Sequence, residues 1–371
     1  MSSSGAAPAR LAFAGGGTGG HVVPGLHVLA AAGAGGVEDL LWFTSGRVVE
    51  ERAFAGLDPR QACERVVLRL EPEGGGAPSL AALLARTPPA VLRARAKLKR
   101  HGSRALLALG GFTALPAALA ARSLGLPVAL LEINAAPGRA TRWLAPLAAR
   151  VLHAWSASLP AHAGARHARI GPPLDPRLFA PGPESGPARE ALGFDPQRPL
   201  LVVVGGSQGA GALNAFVRAH GAALVAGGLQ VLHQTGPGRL AEGLAPRAGY
   251  RAVEYVAPME GALRAATLVL CRGGASTLAE LAAVGAPGFV VPYPHHRDRH
   301  QERNARELGE GVRVVAEAGL GGELARELAR LAGAEGAQER ARMRSALRAA
   351  VPPGGAERAL AELLALCGPS Q

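Results

Sequence analysis

"RLAFAGGGTGGHVVPGLHVLAAA", Arg10 to Ala32, runs from an apolar segment through a glycine-rich turn with one histidine into a helical stretch. The same order returns in "RPLLVVVGGSQGAGALNAFVRAH", Arg198 to His220. Each half then carries a second strand-to-glycine junction, "ALLALGGFTALPAALAA" from Ala105 and "ATLVLCRGGASTLAELAA" from Ala266. Short apolar runs alternating with helical segments imply parallel sheets built from βαβ units. This weak duplication predicts an α/β chain of two Rossmann-like domains facing a cleft, with ligand at the carboxyl ends of the strands. The expected domains span 8–170 and 188–352. Between them, 171–187 is read as a linker, on the prolines and glycines of "IGPPLDPRLFAPGPESGP". The segment 353–371 is expected to form a final helix packed back on the N-terminal domain.

Bulk properties narrow the function. At 371 residues the chain exceeds one ordinary core, and 48% hydrophobic with 4% aromatic content describes an Ala/Leu/Val-rich soluble protein. The net charge of +12 favours an anionic partner, discounted here because an arginine-rich coding preference also raises it. Aromatics are few and no nucleic-acid motif occurs, so no nucleic-acid partner is expected. Cys63, Cys271 and Cys367 are too scattered for a disulfide framework or a metal-ligand spacing. "MSSSGAAPAR" lacks the apolar core of a signal peptide, and the apolar run Ala105 to Ala121 is too short and broken to span a bilayer.

Glycines let backbone amides approach a ligand closely, and a helix that follows aims its positive end at an anion, usually phosphate. Gly15, Gly17 and Gly20 formally satisfy the dinucleotide fingerprint GxGxxG. Yet "LLWFTSGR" ends in Thr44 and Ser45, where a nicotinamide site wants an acid. A Walker-type loop is excluded because the chain has no Gly-Lys pair. A histidine beside such a turn is a candidate base near neutral pH, which singles out His21, with a helix cap or a mere hydrogen bond to the ligand as the alternative. The histidines of "HHRDRH" suit a polar loop better than a metal site, so neither metal nor cofactor is expected.

"GGGTGGHVVPGLHVLAAA", "EINAAPGRATRWLA", "VVVGGSQGAGALN", "HQTG", "CRGGASTLAELAAVGAP" and "PYPHHRDRHQERNA" follow one another in an order that resembles the MurG glycosyltransferases. The resemblance covers about Ala12 to Ala305 and implies a glycosyltransferase B-type fold. It implies an inverting transfer of GlcNAc from UDP-GlcNAc to undecaprenyl-pyrophosphoryl-muramoyl-pentapeptide in peptidoglycan synthesis. It also implies a peripheral enzyme on the cytoplasmic face of the cell membrane, in contact with an anionic lipid surface. On that resemblance Thr18, Gly19 and Gly20 belong to an acceptor-side loop and Asn134 reaches the N-acetyl sugar. Ser207 and Gln208 face the diphosphate, Val256 and Met259 the uracil, and His300 and Gln301 the sugar hydroxyls. The run Ala275, Ser276, Thr277, Leu278, Ala279 opens the nucleotide-binding helix, and Glu280 grips the ribose.

Two segments depart from the family pattern. Glu132-Ile133-Asn134 stands where Glu-Gln-Asn is common, and "GPPLD" puts Asp175 in a position usually held by a donor-binding arginine. Two alternatives stay open: a related UDP-sugar:lipid transferase with another acceptor, and a non-catalytic homologue that keeps the nucleotide site. The run "RTPPAVLRARAKLKRHGSR" mixes Val91, Leu92 and Leu98 with Arg93, Arg95, Lys97, Lys99 and Arg100, a mixture suited to an anionic bilayer surface.

Overall fold

The computed structural model describes residues 9–17, 19–34, 37, 39–55, 63–70, 80–181, 185–296 and 298–368. Contacts divide the chain into two compact units, residues 1–175 with 354–371, and residues 176–353. The stretch read as a linker is thereby split. Residues 171–175 complete the first unit, and a helix of the second already begins at Ser185.

In the first unit, β1 (Leu11–Gly15), β2 (Leu40–Thr44), β3 (Glu64–Val67), β4 (Ala105–Gly110), β5 (Val128–Glu132), β6 (Arg150–His153) and β7 (His167–Arg169) form a parallel sheet. Its order is β3-β2-β1-β4-β5-β6-β7. Helices α1 (Gly19–Ala34), α2 (Val48–Phe54), α3 (Leu80–His101), α4 (Ala114–Ser123) and α5 (Arg139–Leu144) connect the strands. Strands β1, β2, β4 and β5 are buried along their whole length, which is why they read as unbroken apolar runs. In α4 the buried positions are mostly alanines, so α3 and the sheet approach it closely. Trp42 donates its indole N–H to the Gly15 carbonyl at 3.0 Å, tying the first glycine turn to β2.

The second unit starts with α6 (Ser185–Ala191) and repeats the plan. Strands β8 (Leu200–Val204), β9 (Gln230–Gln234), β10 (Tyr250–Val253), β11 (Leu268–Cys271), β12 (Gly288–Val290) and β13 (Val312–Val314) lie parallel in the order β10-β9-β8-β11-β12-β13. Helices α7 (Gly211–Ala226), α8 (Met259–Ala265), α9 (Ala275–Val284), α10 (His300–Arg306), α11 (Gly322–Ala332) and α12 (Ala337–Ala350) cover it. Buried Arg189 ties α6 to this sheet through the Ala265 carbonyl and the Thr267 hydroxyl. The last helix, α13 (Gly355–Leu366), belongs to the first unit, where it packs on α1, β4 and β5. Arg150 pairs with Glu362, Arg104 donates to the Cys367 carbonyl, and Arg358 donates to Ile170.

In both sheets the strand order reverses between the unit's first and fourth strands, the point where open α/β sheets bind ligands. All four glycine junctions read from the sequence sit there: after β1 and β4 in one unit, after β8 and β11 in the other.

Candidate active site

In the first unit two buried carboxylates organise the loops around the site, one at the turn after β1 and one after β5. Glu50, in the first turn of α2, is 1% exposed. Its Oε1 accepts from the Gly17 amide at 2.5 Å, the Ser45 hydroxyl at 2.5 Å and the Ser45 amide at 3.3 Å. Its Oε2 accepts from the Gly46 amide at 2.9 Å. A side chain at Gly16 would put its Cβ 2.3 Å from Glu50 Oε1, so Gly16 must be bare for this carboxylate to reach the turn. The Gly17 amide is thus filled from within the unit by a carboxylate. Thr18, an expected site residue, lies outside the described residues.

His21, on the first turn of α1, brings Nδ1 to 3.3 Å from the Gly16 carbonyl. A carbonyl only accepts, so Nδ1 carries the proton and Nε2 is the basic nitrogen. The ring lies against the bare backbone of Gly110 and Gly111, the junction after β4. Burial draws its pKa below the ordinary value, opposed by the Gly16 hydrogen bond and the charge of Glu132.

Glu132, 3% exposed at the end of β5, holds its own following loop. It accepts from the Asn134 amide (2.8 Å) and side chain (3.1 Å), from the Gly138 amide (3.0 Å) and from the Thr141 hydroxyl. Asn134 is therefore fixed at the rim of a cavity of about 340 Å³ lined also by His21, Glu132, Phe112, Arg139 and Trp143. Ile133, in place of an amide, is buried and offers its carbonyl to Trp155.

In the second unit the loop Gly205–Ala210 follows β8 and contains Ser207 and Gln208. Gly209, at φ +69°, fits under Thr235, whose carbonyl would lie 2.1 Å from an added Cβ. Asn214 donates to that same carbonyl at 3.0 Å, and Gln234 donates to the Gly206 carbonyl at 2.8 Å. His233 bridges Asn214 and Tyr250, both at 2.9 Å, and burial holds it at a pKa of about 4, so it stays neutral. These residues lock the "GGSQGA" loop to the "HQTG" loop, a link that the order of the two motifs did not reveal.

The expected run Ala275–Glu280 forms the first turns of α9, with Gly274 as its cap. Ser276 Oγ is out of solvent there and has no hydrogen-bond partner among the described residues. Glu280 is half-buried, and desolvation raises its carboxyl to a pKa of about 7. Val256 is buried just before Met259 opens α8. His300 Nδ1 pairs with Asp298 at 2.7 Å and its ring stacks on His296 at 4.4 Å. Gln301 uses its side-chain oxygen to accept from the Gly273 and Tyr293 amides, at 3.2 and 2.9 Å. It braces the junction after β11, a duty the resemblance to sugar-hydroxyl binders did not include.

The basic run is less suited to a membrane than its composition suggested. In α3, Leu98 is 1% exposed and Val91 packs against the core, leaving Leu92 at 68% as the outward apolar residue of the three. Lys97 pairs with Glu64 and Arg95 donates to Ser123, while Arg93, Lys99 and Arg100 are exposed. The preceding "EPEGGGAPS" lies outside the described residues. Half-buried Asp175 closes the first unit, and the carbonyl of Arg177 accepts from Arg264 at 2.7 Å.

Comparison with known proteins adds a second line of observation. Residues 11–153 match the glycosyltransferase family 28 N-terminal domain and residues 200–350 its C-terminal domain. A protein of Sorangium cellulosum named UDP-N-acetylglucosamine--N-acetylmuramyl-(pentapeptide) pyrophosphoryl-undecaprenol N-acetylglucosamine transferase is 40% identical, over 95% of this chain and 87% of its own. A protein of the same name from Halorhodospira halophila is 39% identical over 80% of this chain and 81% of its own. The crystal structure of Acinetobacter baumannii MurG superposes with a TM-score of 0.71 at 23% identity, covering 96% of this chain and all of that one.

Proposed function

The chain belongs to glycosyltransferase family 28 and, within it, to the MurG transferases, and from that premise we propose that it moves GlcNAc from UDP-GlcNAc to the lipid-linked muramoyl-pentapeptide. The observation that carries this reading is His21. Its Nδ1–H is committed to the Gly16 carbonyl, which directs base strength to Nε2, and it lines a cavity with Asn134 and Glu132. Nε2 takes the proton of the acceptor hydroxyl as that oxygen bonds to the anomeric carbon of GlcNAc. The bond to the diphosphate breaks on the opposite face, UDP departs with the electron pair, and the configuration inverts.

The second unit holds the donor in this proposal. The diphosphate lies against the amides of Gly206–Gln208 and the start of α9, where the helix end and the Ser276 hydroxyl, without a partner among the described residues, meet growing negative charge. Glu280 accepts from the ribose hydroxyls, which favours its ionised form. Val256 and Met259 flank the base, and His300, oriented by Asp298, with Gln301 meets the sugar hydroxyls. A lipid-linked acceptor calls for peripheral docking at the cytoplasmic face of the membrane. Leu92 with Arg93, Lys99 and Arg100, and half-exposed Trp143 at the cavity, are the contacts proposed for an anionic lipid surface.

The test is UDP release from UDP-GlcNAc by the full chain, with and without a short-chain polyprenyl analogue of the lipid-linked muramoyl-pentapeptide. Acceptor-dependent release supports the transferase. UDP binding without release for this acceptor defeats it in favour of another acceptor or a binding role, and loss of UDP binding removes the nucleotide-sugar reading.

A further inference from the structure

The Gly16–Gly17 peptide group is gripped at both ends. Its N–H donates to Glu50 Oε1 at 2.5 Å, and its C=O accepts from His21 Nδ1 at 3.3 Å. We propose that Glu50 is a positioning residue for His21, acting through this one peptide as a carboxylate–peptide–imidazole relay. The inference rests on the reading of His21 as the base.

A carboxylate on an amide N–H draws electron density through the amide resonance onto the carbonyl oxygen, which becomes a stronger acceptor. That oxygen then holds the Nδ1–H tautomer and stabilises the imidazolium formed when Nε2 takes a proton. No proton passes to Glu50, which remains an acceptor throughout. The relay also accounts for bare backbone at the turn. A Cβ on Gly16 would collide with Glu50 at 2.3 Å, and one on Gly111 would come 2.8 Å from the Gly16 carbonyl. Other charges act on the same imidazole. Glu132 on β5 favours its cation. Arg47, before α2, donates to the Gly17 carbonyl at 3.2 Å, and Arg139 on α5 lines the same cavity as His21. Glu50 differs from these in being wired to the ring through a single covalent amide.

The experiment is NMR of the full chain with histidine and glycine labelled in ¹⁵N. In the unmodified protein the Gly17 amide proton is expected to shift with the same midpoint as His21 titrates. Glu50→Gln removes the charge and is expected to lower the His21 midpoint by roughly 0.5 pH unit or more. It is also expected to reduce kcat about tenfold with KM for UDP-GlcNAc within twofold. Glu50→Asp, which keeps the charge, should return the midpoint towards the original. An unchanged His21 midpoint in Glu50→Gln overturns the relay and leaves Glu50 a structural brace. A Gly17 amide indifferent to His21 titration overturns it without any variant, so a poorly folding substitution does not block the decision. Neither NMR readout needs turnover, and failure of the transferase reading would show instead as absent acceptor-dependent UDP release.

Discussion

At the end of β1 the Gly17 amide meets the buried carboxylate of Glu50, whereas at the end of β8 no carboxylate among the described residues accepts from the amides of Gly205–Ala210. Both turns follow a buried parallel strand, both lead into a helix, and both sit where their sheet reverses. One already carries an internal acid on one of its amides. The other has no such acid, and in the same unit the Ser276 hydroxyl and the Gln234 side-chain oxygen are out of solvent with no hydrogen-bond partner among the described residues. A glycine turn therefore specifies close approach, and the nearest charged side chain decides what approaches. On the proposed function, the turn of the first unit places an imidazole and that of the second receives an anion.

The largest expected effect tests this division of labour. His21→Ala should lower kcat by about 10²–10⁴-fold while the Kd for UDP stays within twofold, read by UDP release and calorimetry. An equal loss of UDP affinity would erase the contrast between the two units. Next in size is Glu280. Its desolvated carboxyl titrates at about 7, and only the ionised form accepts from both ribose hydroxyls, so UDP affinity should rise as the pH passes upward through that value. Glu280→Gln should weaken UDP about tenfold at pH 8, on the scale of a hydrogen bond to a charged group, and flatten the pH dependence.

A smaller effect sharpens the comparison. Inorganic pyrophosphate at millimolar concentration should shift the amide signals of Gly206, Ser207 and Ser276 and leave Gly17 in place. Movement of Gly17 would mean that an anion displaces Glu50 and that the turns are alike after all.

The smallest effect concerns stability. The Glu280 carboxyl has its folded pKa raised above that of the unfolded chain, so ionising it costs folding free energy. The penalty is absent below the unfolded value near 4.5, grows as pH climbs, and is complete above about 7. Glu280→Gln should accordingly raise Tm by about 2–4 °C at pH 8 and leave it almost unchanged at pH 4.

Much of the architecture was legible. Strands buried on both faces read as continuous apolar runs, as in "LAFAG" and "LLVVV", and glycine followed by helix recurs at each junction that borders a site. His21 and Glu280 stood out because each lies within a few residues of such a junction, and Ser276 came only with the run that the resemblance implied. Glu50 did not. It lies 33 residues from the amide it binds, inside "GRVVEERAF", where a glutamate reads as one more polar position of a short helix. Nothing in local spacing distinguishes it from Glu51, which faces outward to Arg65. Val91 and Leu98 failed for the reverse reason. Interleaving with arginines disguised residues that fold into the core, because long basic side chains reach past an apolar face to water. Glu132 was visible in its motif, but its four hydrogen bonds within the loop depend on a reversal of chain that composition does not encode.

The placement of α13 sets an order of assembly during synthesis. The second unit is one uninterrupted stretch, 176–353, and can close on itself as soon as it has left the ribosome. The first unit is begun earlier but lacks the helix that covers α1, β4 and β5 until that whole stretch has been made, roughly 10–40 s later at ordinary translation rates. The half of the chain translated first is therefore the half whose last helix is made last, and until then the faces of α1, β4 and β5 that α13 covers lack that cover.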